Sequence, residues 1–242
     1  MTFEPRTYRR SIEPEGLVSF EVALRETDLQ ILAERDLTDE ALALVIEARA
    51  QIEGFVSAVP RFAESFVPVQ VPRSAPLLVK RMAEAAYVAG VGPMAAVAGA
   101  VAEFVAIGLT EHSREVVVEN GGDDFLVLAR ERLVAIHAGA SPLSRHLGLR
   151  VDPLQTPLGI ATSSATVGPS VSLGCADAVT ILAHSGALAD AVASAAGNRV
   201  HRAEDIEAAI DIAASFEGVI GAVIVVGGAM GAWGDVDLVP LG

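Results

Sequence analysis

The sequence is short of cysteine, of aromatic residues and of positive charge, and each shortage removes a class of protein. A single cysteine, Cys175, has no partner for an intramolecular disulfide and cannot build a multi-cysteine metal cluster. Lysine and arginine together number 17 against 31 acidic residues, a formal net charge of -14. No basic stripe is available to neutralise phosphates, so nucleic acid is not expected as a partner. The same field repels an anionic ligand unless a cation or local backbone dipoles offset it. Aromatic residues make up 5% of the chain and apolar residues 52%, so the core must be packed from Ala, Val and Gly. The five histidines show no H-x-x-x-H or H-E-x-x-H spacing and give no support to a zinc centre.

What is present fills a sizeable core, read here as a single domain over residues 1–242. The N-terminal "MTFEPRTYRRSIEPEG" has no apolar stretch of the secretory type, which predicts a cytoplasmic protein. The long uncharged segment "AAYVAGVGPMAAVAGAVAEFVAIGL" invites a membrane reading. It is rich in Ala and Gly, is broken at Gly92-Pro93 and contains Glu103, so two buried helices joined at Pro93 are expected and no membrane span.

Period-2 and period-3.6 segments come in blocks. Two strands flank a polar turn at Glu26-Thr27-Asp28, and a helix follows with Thr38 as its N-cap. After a proline-punctuated connector come helices from about Ala75 to Ala89 and from Pro93. Strands are then read in "REVVVEN", "FLVLA" and "RLVAIHA", a loop in "SPLSRHLGLRVDPLQTP", and strands in "LGIATSSA" and "DAVTILA". The helix containing Asp190, the helix "AEDIEAAIDIAASF" and a last strand "GVIGAVIVV" complete the chain. Blocks of helix and blocks of strand predict a mixed α+β fold, with largely antiparallel or mixed sheets packed against helices.

Asp190 is the residue that most needs a reason. It stands in "ILAHSGALADAVASAAGN", among side chains that bury themselves, and a buried carboxylate is normally paired, hydrogen-bonded or bound to metal. Ser194 lies one helical turn on and on the same face. Together they suggest oxygen ligands for a hard cation; a cap or ion pair inside the core is the plainer alternative. Glu119 to Asp124 read as a hairpin turn, whose paired glycines also let backbone N–H groups approach a ligand. Gly92-Pro93-Met94 starts a helix, and such a start offers unpaired N–H groups to a phosphate. Thr162 to Ser172 is dense in hydroxyls, as a solvated loop or a polar pocket. Gly168-Pro169-Ser170-Val171-Ser172 lacks the closing glycine of a nucleophile elbow, which weakens a serine-hydrolase reading. "VIVVGGAMGAWG" looks like a dinucleotide fingerprint but is followed by too few residues for the required helix and strand.

Four of these pieces, in order, resemble the ApbE-like superfamily, whose characterised members are FAD:protein FMN transferases. "GVGPMAAVAGAVAE" is similar to the family's "DLGGIAKG" helix start, "ENGGD" to its Asn-x-Gly-Gly-Asp turn, "ATSS" to its "TSG" strand, and "LADAVASA" to its "ADALAT" helix. The likeness runs from about Glu26 to Asn198. It implies an ApbE-like fold that binds Mg²⁺ and FAD or a related flavin nucleotide, cleaves the pyrophosphate and transfers FMN to a protein hydroxyl. By that likeness Asp190 and Ser194 hold the metal, Asp190 acting in catalysis through it. Gly92, Pro93, Met94, Asn120, Gly121, Gly122, Asp123, Thr162 and Ser163 line the nucleotide. The helix-start Asp and Lys are missing from "VGPMAAVAG", and the segment after "ATSS" is shorter than the family's, which carries a histidine. The alternatives are a flavin- or nucleotide-binding protein without transfer chemistry, and an enzyme acting on another small metabolite. A small-molecule nucleotide is the expected partner, and the small-residue helix faces are compatible with a homodimer.

Overall fold

Valine-rich, alternating segments pair into strands, and Ala-rich segments with apolar residues at helical spacing pack on them. A computed structural model describes residues 12, 14–165 and 174–241. The strands are β1 (Val18–Leu24), β2 (Thr27–Ala33), β3 (Val116–Asn120), β4 (Asp123–Val127), β5 (Arg132–Ala135), β6 (Leu147–Val151), β7 (Leu158–Ser163), β8 (Ala178–Ala183), β9 (Val219–Val226), β10 (Ala229–Gly234) and β11 (Asp237–Pro240). The helices are α1 (Thr38–Ala58), α2 (Arg61–Glu64), α3 (Leu77–Ala89), α4 (Val97–Leu109), α5 (Gly186–Gly197) and α6 (Ile206–Ala214).

Eight strands form one sheet in the order β1-β2-β3-β4-β7-β8-β9-β10, and β11-β6-β5 form a second. Every pairing is antiparallel. The α+β class expected from the sequence is therefore the one observed. Successive residues of a strand face opposite sides of its sheet, and here the two faces have different partners. Val116, Val118 and Phe125 join α1, α3 and α4 in one core, while Ile181 and Ile224 pack under α5 and α6. Val117, Leu126, Leu158 and Ile160 point the other way, onto Val134, Ile136 and Leu149 near the three-stranded sheet. Helices, large sheet and small sheet make three layers.

Several local expectations are corrected. The first turn is Arg25-Glu26, because Leu24 pairs with Thr27; Arg25 takes a left-handed φ of 55°, and Thr27 is buried within β2. Thr38 does not cap α1 but begins it, with Leu37 at the cap position. The accepting side chain is Asp36, bonded to the Thr38 N–H at 2.9 Å and to its hydroxyl at 2.6 Å. A strand, β6, lies inside the segment read as loop, and the last strand is followed by β10 and β11. These strands are short and carry Gly or Pro, so pairing rather than intrinsic preference sets them.

The long apolar segment divides as its Gly-Pro break suggests. A 3-10 turn, Pro93–Ala96, precedes α4, and α3 meets the Pro93–Leu109 segment at 105°. No single helix among the described residues is long and apolar enough to cross a membrane. Glu103 is buried there and paired with Arg81 at 2.7 Å.

Candidate functional site

The site begins where α4 crosses α5. A helix leaves its first N–H groups without intrahelical partners, and Ala96, at the cap position of α4, supplies no side-chain cap. Asp190 supplies it from the neighbouring helix: its Oδ2 accepts the Gly99 N–H at 3.0 Å, and the Ala98 N–H bonds the same carboxyl. The debt is mutual. Glu103 of α4 reaches the start of α5, where its Oε2 accepts the Gly186 N–H at 2.9 Å and the Ser185 hydroxyl at 3.2 Å. Gly99 stands four residues before Glu103, and Gly186 four before Asp190, so each helix brings a glycine to the crossing and a carboxylate to its partner's N-terminus.

The glycines are what allow the approach. A Cβ on Gly99 would collide with the Gly186 carbonyl and come within 2.9 Å of the Asp190 Cβ. A Cβ on Gly159 of β7 would lie 2.7 Å from the Gly186 Cα, so α5 is pressed onto the sheet as well. Anions at helix N-termini are favoured by the aligned peptide dipoles. The capping alternative for Asp190 is thus realised, and among the described residues no basic group pairs with it.

A second acid meets it from the sheet. Gly121 and Gly122 both have positive φ, 71° and 107°, the conformation that a two-residue turn matched to strand twist requires. This turn sets Asn120 opposite Asp123. The Asn120 amide donates to the Ala98 carbonyl at 3.0 Å, which ties the hairpin tip to the start of α4. Asp123 Oδ1 accepts the Thr162 N–H at 3.2 Å, and the Asp123 carboxyl hydrogen-bonds Asp190. Burial, the Asp190 charge and the nearby Asp124 and Glu119 hold Asp123 well above the usual carboxylate range. Asp190 is pushed up to about 7 by burial, against the lowering effect of the Gly99 and Ala98 N–H groups and of Asp123. Two carboxyls this close share a proton rather than both ionising.

The remaining expected residues fall into three places. Ser194, half-buried, lies one turn beyond Asp190; Gly186 abuts Gly159, and a Cβ on Gly197 would meet Ser163 Oγ at 3.3 Å, so this stripe of α5 runs along β7 from Gly159 to Ser163. Gly92 and Pro93 are buried, and a Cβ on Gly92 would run into the Ser65 carbonyl, which accounts for the glycine by packing. Met94 is half-buried against the helical core. Thr162 offers its backbone to Asp123 but turns its hydroxyl to the opposite face of the sheet, 3.0 Å from the Thr180 hydroxyl. Ser170 and Ser172 lie outside the described residues. The glycine-rich "VIVVGGAMGAWG" is a hairpin of β9 and β10, not a nucleotide loop.

Residue-type reasoning gave Glu103 no role at a site and read Asp124 only as part of the Glu119–Asp124 turn. A readable signal existed for each: Glu103 is the only charge in its apolar segment, and strand alternation separates Asp124 from Asp123 onto opposite faces. Among the described residues no three His, Cys, Asp or Glu side chains converge as a metal cage. A cation at Asp190 would instead draw on the Ser194 hydroxyl, water and ligand oxygens. That donor set suits Mg²⁺, which keeps waters and takes one or two carboxylates plus phosphates.

A helical layer packed on an antiparallel sheet in this order is an ApbE-like fold. The chain belongs to the family described as AbpE bacteria, whose model matches residues 9–232. It is 39% identical over 216 residues to a UPF0280 protein of Methanocella arvoryzae, covering 87% of this chain and 86% of that one. A UPF0280 protein of Methanothrix thermoacetophila is 41% identical over 198 residues, covering 81% and 83%. A histidine-to-glycine mutant of the flavin transferase ApbE of Vibrio cholerae matches in fold, with a TM-score of 0.56 at 14% identity, over 90% of this chain and 97% of that one. The flavinyl transferase ApbE of Pseudomonas stutzeri in its apo form gives a TM-score of 0.56 at 13% identity, over 90% and 94%. At these identities the structural likeness shows the fold.

Proposed function

We propose that this protein binds a flavin nucleotide, FAD foremost, together with Mg²⁺ at the Asp123–Asp190 pair, and acts on its pyrophosphate. The observation that carries the reading is the acid pair itself, two raised carboxyls held together at the α4 N-terminus with no basic partner among the described residues. In a chain of net charge -14 such a pair has a use if a divalent cation occupies it and offsets the field that repels a pyrophosphate. Asp190 and the Ser194 hydroxyl hold the cation. Asp123 takes up or releases the proton that the pair shares. The Asn120–Asp123 turn, whose glycines leave its backbone open, and Ser163 line the nucleotide. Gly92 and Pro93 act through packing. When bound, Mg²⁺ supplies the positive charge that stabilises developing charge on phosphoryl oxygens and on the leaving group.

Absence of the family's helix-start Lys and histidine segment favours a second reading, a binding protein without transfer chemistry. Titrating the protein with FAD in the presence of Mg²⁺, and repeating on Asp190→Ala, tests the shared claim: affinity should fall at least about tenfold in the variant. Unchanged affinity removes the metal role. Chromatography of protein incubated with FAD and Mg²⁺ separates the two readings, since steady AMP release requires cleavage and excludes binding alone.

A further inference from the structure

The outer strand of a sheet offers a row of unpaired N–H and C=O groups, and proteins guard such edges with charge, proline or shortness. Among the described residues three of the four outer strands are guarded in these ways. β1 carries the exposed Glu21, β5 is four residues long, and β11 begins at Asp237 and ends at Pro240. The fourth, β10, reads "AMGAWG", six residues with neither charge nor proline, in a chain of net charge -14. No described strand pairs beyond it. Met230 and Trp233 stand 41% and 38% exposed there. Gly231 admits α6 on one face, since a Cβ would lie 2.6 Å from Ile206 and 2.7 Å from Ile210; alternation puts Trp233 on that face and Met230 and Ala232 on the other. The Gly227-Gly228 turn closes on the pair Val226 and Ala229. Ala229, Gly231 and Trp233 therefore bond β9, and Met230 and Ala232 aim their N–H and C=O groups at the open edge.

We propose that β10 pairs antiparallel with β10 of a second copy, about a two-fold axis at Ala232, so that the large sheet continues through both copies. The strand's own sequence selects this occupant and this register. With Ala232 opposite the partner's Ala232, Met230 meets the partner's Gly234 and Trp233 meets the partner's Gly231, so each large side chain faces a glycine. The Trp233 pair is one without ladder bonds, whose Cα atoms lie about 4.5 Å apart, and the indole lies over the bare backbone of the opposite strand. Charge agrees with this choice. Two copies of net charge -14 repel, and β10 is the long outer strand along which no carboxylate has to approach another. The small-residue helix faces, the other surface suited to a homodimer, are occupied inside the fold where Gly99 meets Gly186. A six-residue ladder with two large side chains from each copy buries less than about 1,200 Å² in all, which places the dimer among transient interfaces with micromolar dissociation.

Sedimentation velocity of the full chain should show monomer passing to dimer between about 1 µM and about 300 µM. Trp233 is the only tryptophan, so its emission should move to shorter wavelength over the same range. Ala232→Lys, at an exposed position, sets two like charges face to face at the axis and should weaken the dimer at least about tenfold. Oxidative cross-linking reads the register, in a Cys175→Ser background because Cys175 is exposed. Ala232→Cys should cross-link, since the Cα atoms of a bonded antiparallel pair lie about 5.5 Å apart, within disulfide reach. Met230→Cys should not, because a four-residue offset holds the two copies of that position about 14 Å apart. A monomer at every concentration would overturn the proposal and leave β10 to an extended strand of another protein. A dimer unmoved by Ala232→Lys, or Met230→Cys cross-linking as readily as Ala232→Cys, would overturn it as well.

Discussion

Without bound metal, the acid pair should make the protein less stable as pH rises, which is the reverse of ordinary acid denaturation. Asp190 titrates near 7 in the folded chain, against about 3.9 when unfolded. Between these values the folded state holds a proton that the unfolded state has lost. Unfolding free energy therefore falls by about 1.4 kcal/mol per pH unit and per proton, and is fully lowered once pH passes the folded value. Over the window from about pH 4 to about pH 7 the total approaches 4 kcal/mol for Asp190 alone. Asp123 and Asp124, also raised, add in the same direction. The acids Glu26, Glu34, Asp36 and Asp205 are lowered by their hydrogen-bond partners and act oppositely, but at the acidic end of the range. His137, lowered by burial, also opposes near neutrality. Urea titrations of metal-free wild type and Asp190→Asn from pH 5 to pH 8 isolate the effect, because the variant keeps every other group. The wild type should lose stability with a slope about one proton steeper than the variant. Equal slopes would refute the proton-sharing pair.

Gly99→Ala should destabilise the fold by about 3 kcal/mol or more, since its Cβ has nowhere to go against the Gly186 carbonyl; a thermal melt measures it, and a change within error would contradict the close helix crossing. Glu103→Gln should cost about 2 kcal/mol by weakening the Gly186 cap and the Arg81 pair. Arg81→Ala should cost less than Glu103→Gln, because it leaves the cap at the start of α5 intact.

The strength of the apolar periods explains why the layers were legible. The short β-branched apolar runs in "REVVVEN" and "DAVTILA" and the helical spacing in α1 and α3 are local signals, and they survive in the fold. Strands β6, β10 and β11 were not legible because partner strands, rather than their own residues, decide them. At the site, Asp190 announced itself as a charge among alanines, and "ENGGD" as a turn. What the sequence could not display was the crossing at Gly99 and Gly186, which lie 87 positions apart and meet only in three dimensions. That meeting makes Asp190 a cap for α4 and sets it against Asp123. Reading Thr162 as one contact with the nucleotide side also missed that its backbone and hydroxyl serve opposite faces of β7.

Proton release on adding Mg²⁺ tests the central claim most directly. A cation held by Asp190 must displace the proton that burial keeps on Asp190 below about pH 7. Calorimetry near pH 6.5 in buffers of different ionisation enthalpy should show Mg²⁺ binding with release of close to one proton, fading above pH 8 and absent in Asp190→Asn. Binding without proton release, or the same release in the variant, would contradict the account.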